Sequence, residues 1–290
     1  AFRGMDITND TAAYYRTYQK IAYSGFAGET RMEIGYVALN VLLTHIFQDT
    51  LVGFHVLLFI TSVFSYWALE QWIERHAITY GICIIAFYFL SNQSYMSAIR
   101  QSVAVGFILW GLMAMEDLKG RKRYVVYTLL IVFATLFHKT AVVALIFPFL
   151  TKRKYTRNTT WLLMLITLVA TLTNIVSSVI SILGLGTGYV TTEIGNAVNV
   201  GVVSLLYLAL LLLRLFCDNT SYVTDEGATD IEHTVYGDSF YTYCIALSLA
   251  VTVMSLRAAG MSRLNMYLQL VGLPYVSNVM RRIKDQRVAF

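Results

Sequence analysis

A chain of 290 residues that is 57% hydrophobic and only 13% charged does not carry the surface of a soluble domain, in which charged residues run to about 25%. Its net charge of +5 sits in short loops, as in the cytoplasmic loops of a membrane protein, and not on the broad basic face of a nucleic-acid binder. Cys83, Cys217 and Cys244 are isolated, without metal-ligand or CxxC spacing, so neither a zinc site nor a disulfide framework is expected.

Residues 1–33 are polar and aromatic. They hold no signal-peptide core and no initiator methionine, so a first membrane helix upstream of Ala1 is expected. Asn9 or Asp10 suits the cap of a short helix with Tyr14, Tyr18 and Ile21 on one face. Tyrosines so placed suit a membrane interface. Ile34–Phe47 is a short apolar run, Leu51–Leu69 a full-length one, and Ile78–Leu90 again short. Asn92-Gln93-Ser94 breaks the chain before a helix from Ser97 to Met115. A basic hinge follows (Lys119, Arg121, Lys122, Arg123), and then the run 124–150 is interrupted by His138-Lys139-Thr140. Beyond the basic cluster Lys152-Arg153-Lys154 with Arg157, four further spans are expected: Trp161–Leu183, Val200–Phe216, Phe240–Leu256 and Leu264–Met280. The expected fold is therefore all-α, a polytopic transmembrane protein with roughly eight to ten hydrophobic segments, several shorter than the ~20 residues of a full span. It forms one membrane domain over 1–290, with helix groups 34–150 and 151–290.

Loop charge orients these segments. The basic clusters at 119–123, 152–157 and 281–287 all belong on the cytoplasmic side. A single crossing between the first two would separate them, so 124–150 is expected to be a re-entrant hairpin. Tyr124–Phe137 rises, Thr140–Leu150 returns, and His138 and Lys139 lie at a buried apex, which requires a protein-lined or water-filled cavity. Arg100, Arg257, Arg263 and the loop 184–199 then fall outside, and the acidic loop 217–238 falls inside. Simple alternation puts residues 1–33 inside, whereas their polar groups suit the outer side.

A few polar residues stand out against this apolar background. Charged groups inside hydrocarbon-length segments cost a few kcal/mol each on insertion scales. Arg100 either snorkels from a helix end or clamps an anion, since a guanidinium gives phosphate two hydrogen bonds and stays charged in a dry cavity. Gln101 adds amide donors suited to phosphate or sugar hydroxyls. His138 is either a satisfied structural histidine or a general base, because histidine ordinarily titrates near neutrality. Arg257 and Arg263 are basic residues on the side where positive charge is avoided, either interface anchors or contacts for an anionic substrate. Arg3, Asp6 and Glu33 lie in a polar segment where charge needs no special reason; the two acids are also alternative bases or sugar contacts. No carboxylate metal site, Gly-rich nucleotide loop or Ser-His-Asp order is present, so no metal and no cofactor is expected.

Taken together, these motifs resemble a known family. Arg100-Gln101 with Ala104, an apolar helix and a basic hinge, then Phe137-His138-Lys139-Thr140-Ala141, resemble the EpsG family of polysaccharide polymerases. Arg3-Gly4-x-Asp6 with Tyr14 or Tyr15, followed by Glu33-x-Gly35-Tyr36, is similar to that family's opening. Arg263-Leu264-Asn265-x-Tyr267 with Pro274 is similar to its closing helix. The family position after His138 is often small or polar; here it is Lys139. The resemblance implies a GT-C-like membrane glycosyltransferase, related in role to the Wzy polymerases of O-antigen and exopolysaccharide repeat units. It implies a multi-pass protein of the bacterial cytoplasmic membrane with its active site facing the periplasm or exterior. There it would transfer a growing glycan from its undecaprenyl pyrophosphate to a sugar hydroxyl of another lipid-linked unit. His138, Asp6 and Glu33 become the catalytic candidates. Arg100, Gln101, Arg263, Arg3, Arg257, Asn265 and Tyr267 become the pyrophosphate and glycan contacts, with arginines in place of a divalent ion. The implied partners are lipid-linked oligosaccharide, membrane lipid, a chain-length regulator and a flippase, with no nucleic acid. Two rival readings are a transporter or flippase of the same lipid-linked sugars and a membrane acyltransferase using His138.

Overall fold

The computed structural model describes residues 9–28, 32–173, 201, 203–213, 236–255 and 261–279. Arg3, Asp6, Arg257 and the loops 184–199 and 217–235 lie outside the described residues. Those that are described form helices and their connections, with no strand among them. In chain order the helices are α1 (Asn9–Ser24), α2 (Ile34–Ile46), α3 (Thr50–His76), α4 (Tyr80–Leu90), α5 (Asn92–Ser97), α6 (Ile99–Asp117), α7 (Gly120–Phe137), α8 (Phe147–Leu150), α9 (Arg157–Leu172), α10 (Val203–Leu213), α11 (Asp238–Met254) and α12 (Met261–Val271). Short 3₁₀ segments occupy Gly25–Gly28 and Lys139–Ile146. The chain divides into two compact units, Ala1–Trp72 with Ser91–Leu145, and Ile73–Leu90 with Ile146–Phe290.

By length and apolar composition, α3 is the one helix among the described residues fit to cross a membrane alone. Its 27 residues reach about 40 Å, longer than the ~30 Å hydrocarbon core. α2, α4, α9, α10 and α11 are apolar but shorter. Large apolar side chains face outward, among them Phe59, Ile60 and Val63 on α3 and Leu129, Val132 and Phe133 on α7. On α9 no residue is buried at all. A rind of this kind is costly in water and consistent with a membrane protein.

In the first unit α6 is the central element. It buries residues all round its axis, including Val103, Val105, Ile108, Leu112 and Met115, as a helix without a polar face must. α7 packs against it after a turn at Gly120, whose φ of 63° is the left-handed region glycine enters without cost. Gly111 of α6 lets the Tyr127 ring approach to 3.0 Å of where a Cβ would lie, the close helix contact that small residues permit. Tyr14, Tyr18 and Ile21 are buried together, as one face of α1. That face is turned into the protein: Tyr14 and Tyr18 pack with Tyr36, Leu43, Phe54 and Leu57. The phenol rings are consumed by protein packing because α1 docks onto α2 and α3.

α7 ends at His138, whose extended backbone (φ −154°, ψ 114°) breaks the helix. The 3₁₀ segment that follows is eight residues long, more than the three or four usual for such runs. With three residues per turn, the buried Ala141 and Ala144 fall on one face. The Tyr127 hydroxyl donates to the Ala144 carbonyl at 2.5 Å. A contact between residues so placed requires the chain to double back after His138, alongside α7.

In the second unit α11 packs against both α12 and α9. Both ends of α4 are tied down. Asn278 Oδ1 accepts from the Ile78 amide at 3.2 Å, and the Gln269 side-chain amide donates to the Leu90 carbonyl at 3.1 Å. Helix ends leave such backbone groups unpaired, and hydrocarbon offers them no water. The expected span Leu264–Met280 is interrupted. α12 stops at Val271, a turn follows at 272–273, and helix resumes over 274–279. Pro274 explains the break, since it has no N–H to donate and its ring excludes the preceding helical turn.

Candidate functional site

Four elements of the first unit bring polar groups to one place. Glu33 sits just before α2, at its N-cap. Acidic side chains there commonly accept from the helix's own amides, yet Glu33 makes no side-chain cap bond. Its carboxylate turns away from the helix. One oxygen pairs with the Arg100 guanidinium. The other accepts from the Lys139 amide at 3.3 Å and lies 3.3 Å from His138 Nδ1.

Gly35 permits this arrangement. A Cβ on it would stand 2.8 Å from the Leu136 carbonyl oxygen and 2.9 Å from the Leu136 Cβ. Without a side chain there, the start of α2 presses against the last turn of α7, and Glu33 reaches His138.

Arg100 lies in the first turn of α6, where a positive charge opposes the helix dipole. It is held by an anion and an aromatic ring. Its Nε donates to the Tyr14 hydroxyl at 3.5 Å, and its guanidinium lies 5.8 Å from the Tyr14 ring centroid. Tyr14 in turn meets Tyr36 edge-on at 5.7 Å. The guanidinium is 17% exposed, so it is the open edge of the cluster. Glu33 and His138 are each 8% exposed on the side chain.

Burial alone would raise the Glu33 carboxyl. The neighbouring His138 imidazole and the Arg100 charge outweigh it and bring the carboxyl from 4.5 down to about 2. Glu33 is therefore an anion across the physiological range, which suits it to orient His138 more than to take a proton. Both ring nitrogens of His138 are buried, and neither makes a hydrogen bond of good geometry among the described residues. Nε2 is the ring nitrogen with no carboxylate beside it, which makes it the candidate proton acceptor of the cluster.

The other residues singled out in the sequence fall in various places. Gln101 is buried inside the α6 packing at 3% exposure. The Lys139 side chain is exposed, so only its backbone amide joins the cluster. Arg263, Asn265 and Tyr267 lie on α12 in the second unit, half-buried, buried and fully buried respectively. There the Tyr207 hydroxyl faces Asn265 and Ser248, and Asn265 Oδ1 is buried without a hydrogen bond of good geometry. Sequence reasoning left out the contact of Tyr14 with Arg100. The signal was present in Tyr14 sharing a helix face with Tyr18, but a sequence separation of 86 hides the pairing. Among the described residues no three His, Cys, Asp or Glu side chains converge as metal ligands.

The family model for the EpsG family matches residues 1–290, the whole chain. The chain belongs to the EpsG family. EpsG is a family of Wzy-like polysaccharide polymerases, so membership makes this a polymerase- or glycosyltransferase-type enzyme of polysaccharide biosynthesis. No curated protein and no solved structure matches the chain. Within this EpsG chain, the motifs that carry the family's opening, middle and turn-back segments supply Glu33, Arg100 and His138, the three side chains of the cluster.

Proposed function

We propose that the chain is a GT-C-like membrane polymerase that joins undecaprenyl-pyrophosphate-linked oligosaccharide repeat units at the outer side of the bacterial cytoplasmic membrane. The observation that carries this reading is the ternary contact of Arg100, Glu33 and His138. The acceptor sugar hydroxyl attacks the anomeric carbon of the donor glycan. The new glycosidic C–O bond forms as the bond from that carbon to the pyrophosphate oxygen breaks. The electron pair leaves with the polyprenyl pyrophosphate, and the hydroxyl proton goes to His138 Nε2.

Arg100 serves the leaving group. In the free protein it neutralises Glu33. An arriving pyrophosphate offers more oxygens in the same bidentate geometry and competes for the guanidinium. Charge that develops on the leaving oxygens is then met by a fixed cation in a site poor in water. Glu33, released from Arg100, keeps its other oxygen on His138 and stabilises the imidazolium as it forms. The cluster therefore casts Glu33 as a positioning residue. The roles of Arg3, Asp6, Arg257, Arg263, Asn265 and Tyr267 in binding or catalysis rest on the resemblance and are part of the proposal. The chain-length regulator and the flippase stand on the same footing as partners.

Reconstitution with a purified lipid-linked repeat unit tests the reading. Dimers and longer glycans should appear with wild type and vanish with Arg100→Ala and His138→Ala, while both variants remain inserted. Passage of the lipid-linked unit across the bilayer with no new glycosidic bond would instead make the chain a transporter.

A further inference from the structure

Arg100 is gripped at two different nitrogens. A terminal nitrogen pairs with Glu33, and Nε donates to the Tyr14 hydroxyl at 3.5 Å. The two partners differ in kind. Glu33 is an anion and offsets the guanidinium charge. Tyr14 offers an uncharged phenol, which accepts a hydrogen bond and leaves the charge unspent. Its ring centroid lies 5.8 Å from the guanidinium carbon, within the about 6 Å over which an aromatic face attracts a cation. Both tyrosine contacts are long for their type, so Tyr14 orients the guanidinium more than it binds it.

Tyr14 is itself fixed from the other side. Its ring is buried and meets Tyr36 edge-on at 5.7 Å. Tyr36 is fully buried and stands three residues after Glu33, in the first turn of α2. The start of α2 therefore supplies both the carboxylate that pairs with Arg100 and the ring that braces Tyr14. Ile99, the neighbour of Arg100 on α6, joins Tyr14 and Tyr36 in one apolar cluster. This bracing is van der Waals packing, and it persists when the Arg100–Glu33 pair opens.

That persistence matters when the site is loaded. Pyrophosphate competes with Glu33 for the guanidinium, and exchange removes the ionic restraint on a long, rotamer-rich side chain. Charge stabilises a leaving group most when it is already aimed. The phenol on Nε carries no charge to repel the phosphate, so it need not be displaced. We propose that Tyr14 is a positioning residue for glycan transfer, keeping Arg100 aimed while Glu33 gives way to pyrophosphate. The role rests on the polymerase reading of the cluster.

Steady-state transfer by the full chain in proteoliposomes, with the lipid-linked repeat unit as substrate and rates taken per folded molecule, tests it. Tyr14→Phe keeps the ring and its packing and deletes the hydroxyl. Its kcat should fall about three- to tenfold, the worth of one hydrogen bond, with KM within about twofold of wild type, the pattern of an interaction that counts in the transition state. Tyr14→Leu removes the ring as well and should fall further. Tyr18→Phe is the matched control. Tyr18 lies one turn along the same buried face, and its hydroxyl has no hydrogen-bond partner among the described residues. It should keep wild-type kcat and KM. Wild-type kcat from Tyr14→Phe, a raised KM alone, or an equal fall in Tyr18→Phe overturns the positioning role and leaves the polymerase reading standing. No transfer by wild type removes both.

Discussion

Glu33 holds Arg100 through one carboxylate oxygen and faces His138 through the other, 3.3 Å from Nδ1. A helix N-cap, a helix first turn and a helix C-cap are thus joined by one side chain. A cation at the start of α6 is poorly placed until the carboxylate offsets it.

Removing the bridge should cost stability before chemistry is considered. Glu33→Ala leaves the mostly buried guanidinium without its anion, a change that typically costs about 3–5 kcal/mol. Replacing both partners, as Glu33→Ala with Arg100→Met, should recover most of that loss, because no charge is then stranded. Unfolding midpoints of the three proteins in one detergent check this. Equal midpoints for the single and double variants would contradict the pairing.

The pH response follows from the same group. A carboxyl lowered from 4.5 to about 2 by folding stabilises the folded state fully above its unfolded value. That contribution is lost as pH falls from 4.5 toward 2. Between pH 5 and 8 the bridge contributes a constant amount. Glu33→Gln should therefore flatten the acid limb of the stability curve and leave its neutral region parallel to wild type. An acid limb identical in both proteins would show that Glu33 is not lowered on folding.

Gly35→Ala is expected to separate structure from site. The new methyl meets the backbone oxygen of Leu136 as well as its Cβ, so Leu136→Ala relieves only part of the clash. Overpacking of this kind costs about 1–3 kcal/mol, but the displacement falls directly between Glu33 and His138. Polymer formation should drop by at least about tenfold, given how steeply rates depend on placement, in protein that still folds. Wild-type polymer yield from Gly35→Ala would show that the close approach is dispensable.

Tyr127→Phe addresses the chain reversal after His138. It deletes the donor to the Ala144 carbonyl and leaves a buried acceptor unpaired, at about 1–3 kcal/mol. Amide exchange over 139–146 should quicken, while α6 keeps its protection. Unchanged exchange in that segment would mean that the hydroxyl does not hold the return limb.

Much of the cluster could be read from the sequence because hydrophobic context makes polar residues conspicuous. Arg100 and His138 interrupt apolar runs, and the break of α7 at His138 follows from the polar triplet His138-Lys139-Thr140. Glu33 was visible only as an acid in a polar segment. Its partners lie 67 and 106 residues further on, at Arg100 and the Lys139 amide, and no local pattern encodes such a pairing. Gly35 and Tyr14 were legible as family positions, but not as the clearance for Leu136 or the ring under Arg100. The tyrosine face of α1 was legible as a face, yet its burial against α2 and α3 was not, since a phenol suits a membrane surface and a protein interior alike. Pro274 divides the last span for a local reason, although the apolar run 264–280 reads continuously through it.

Arg100 and His138, bridged by Glu33, are proposed to carry glycan transfer between lipid-linked units. The most direct measurement incubates the reconstituted chain with one lipid-linked repeat unit and follows both products by mass: the glycan dimer and the released polyprenyl pyrophosphate. Wild type should release one polyprenyl pyrophosphate for each new glycosidic bond, summed over dimers and longer glycans, and both products should be lost with His138→Ala and Arg100→Ala at unchanged protein insertion. Dimer formed by His138→Ala at the wild-type rate would contradict it.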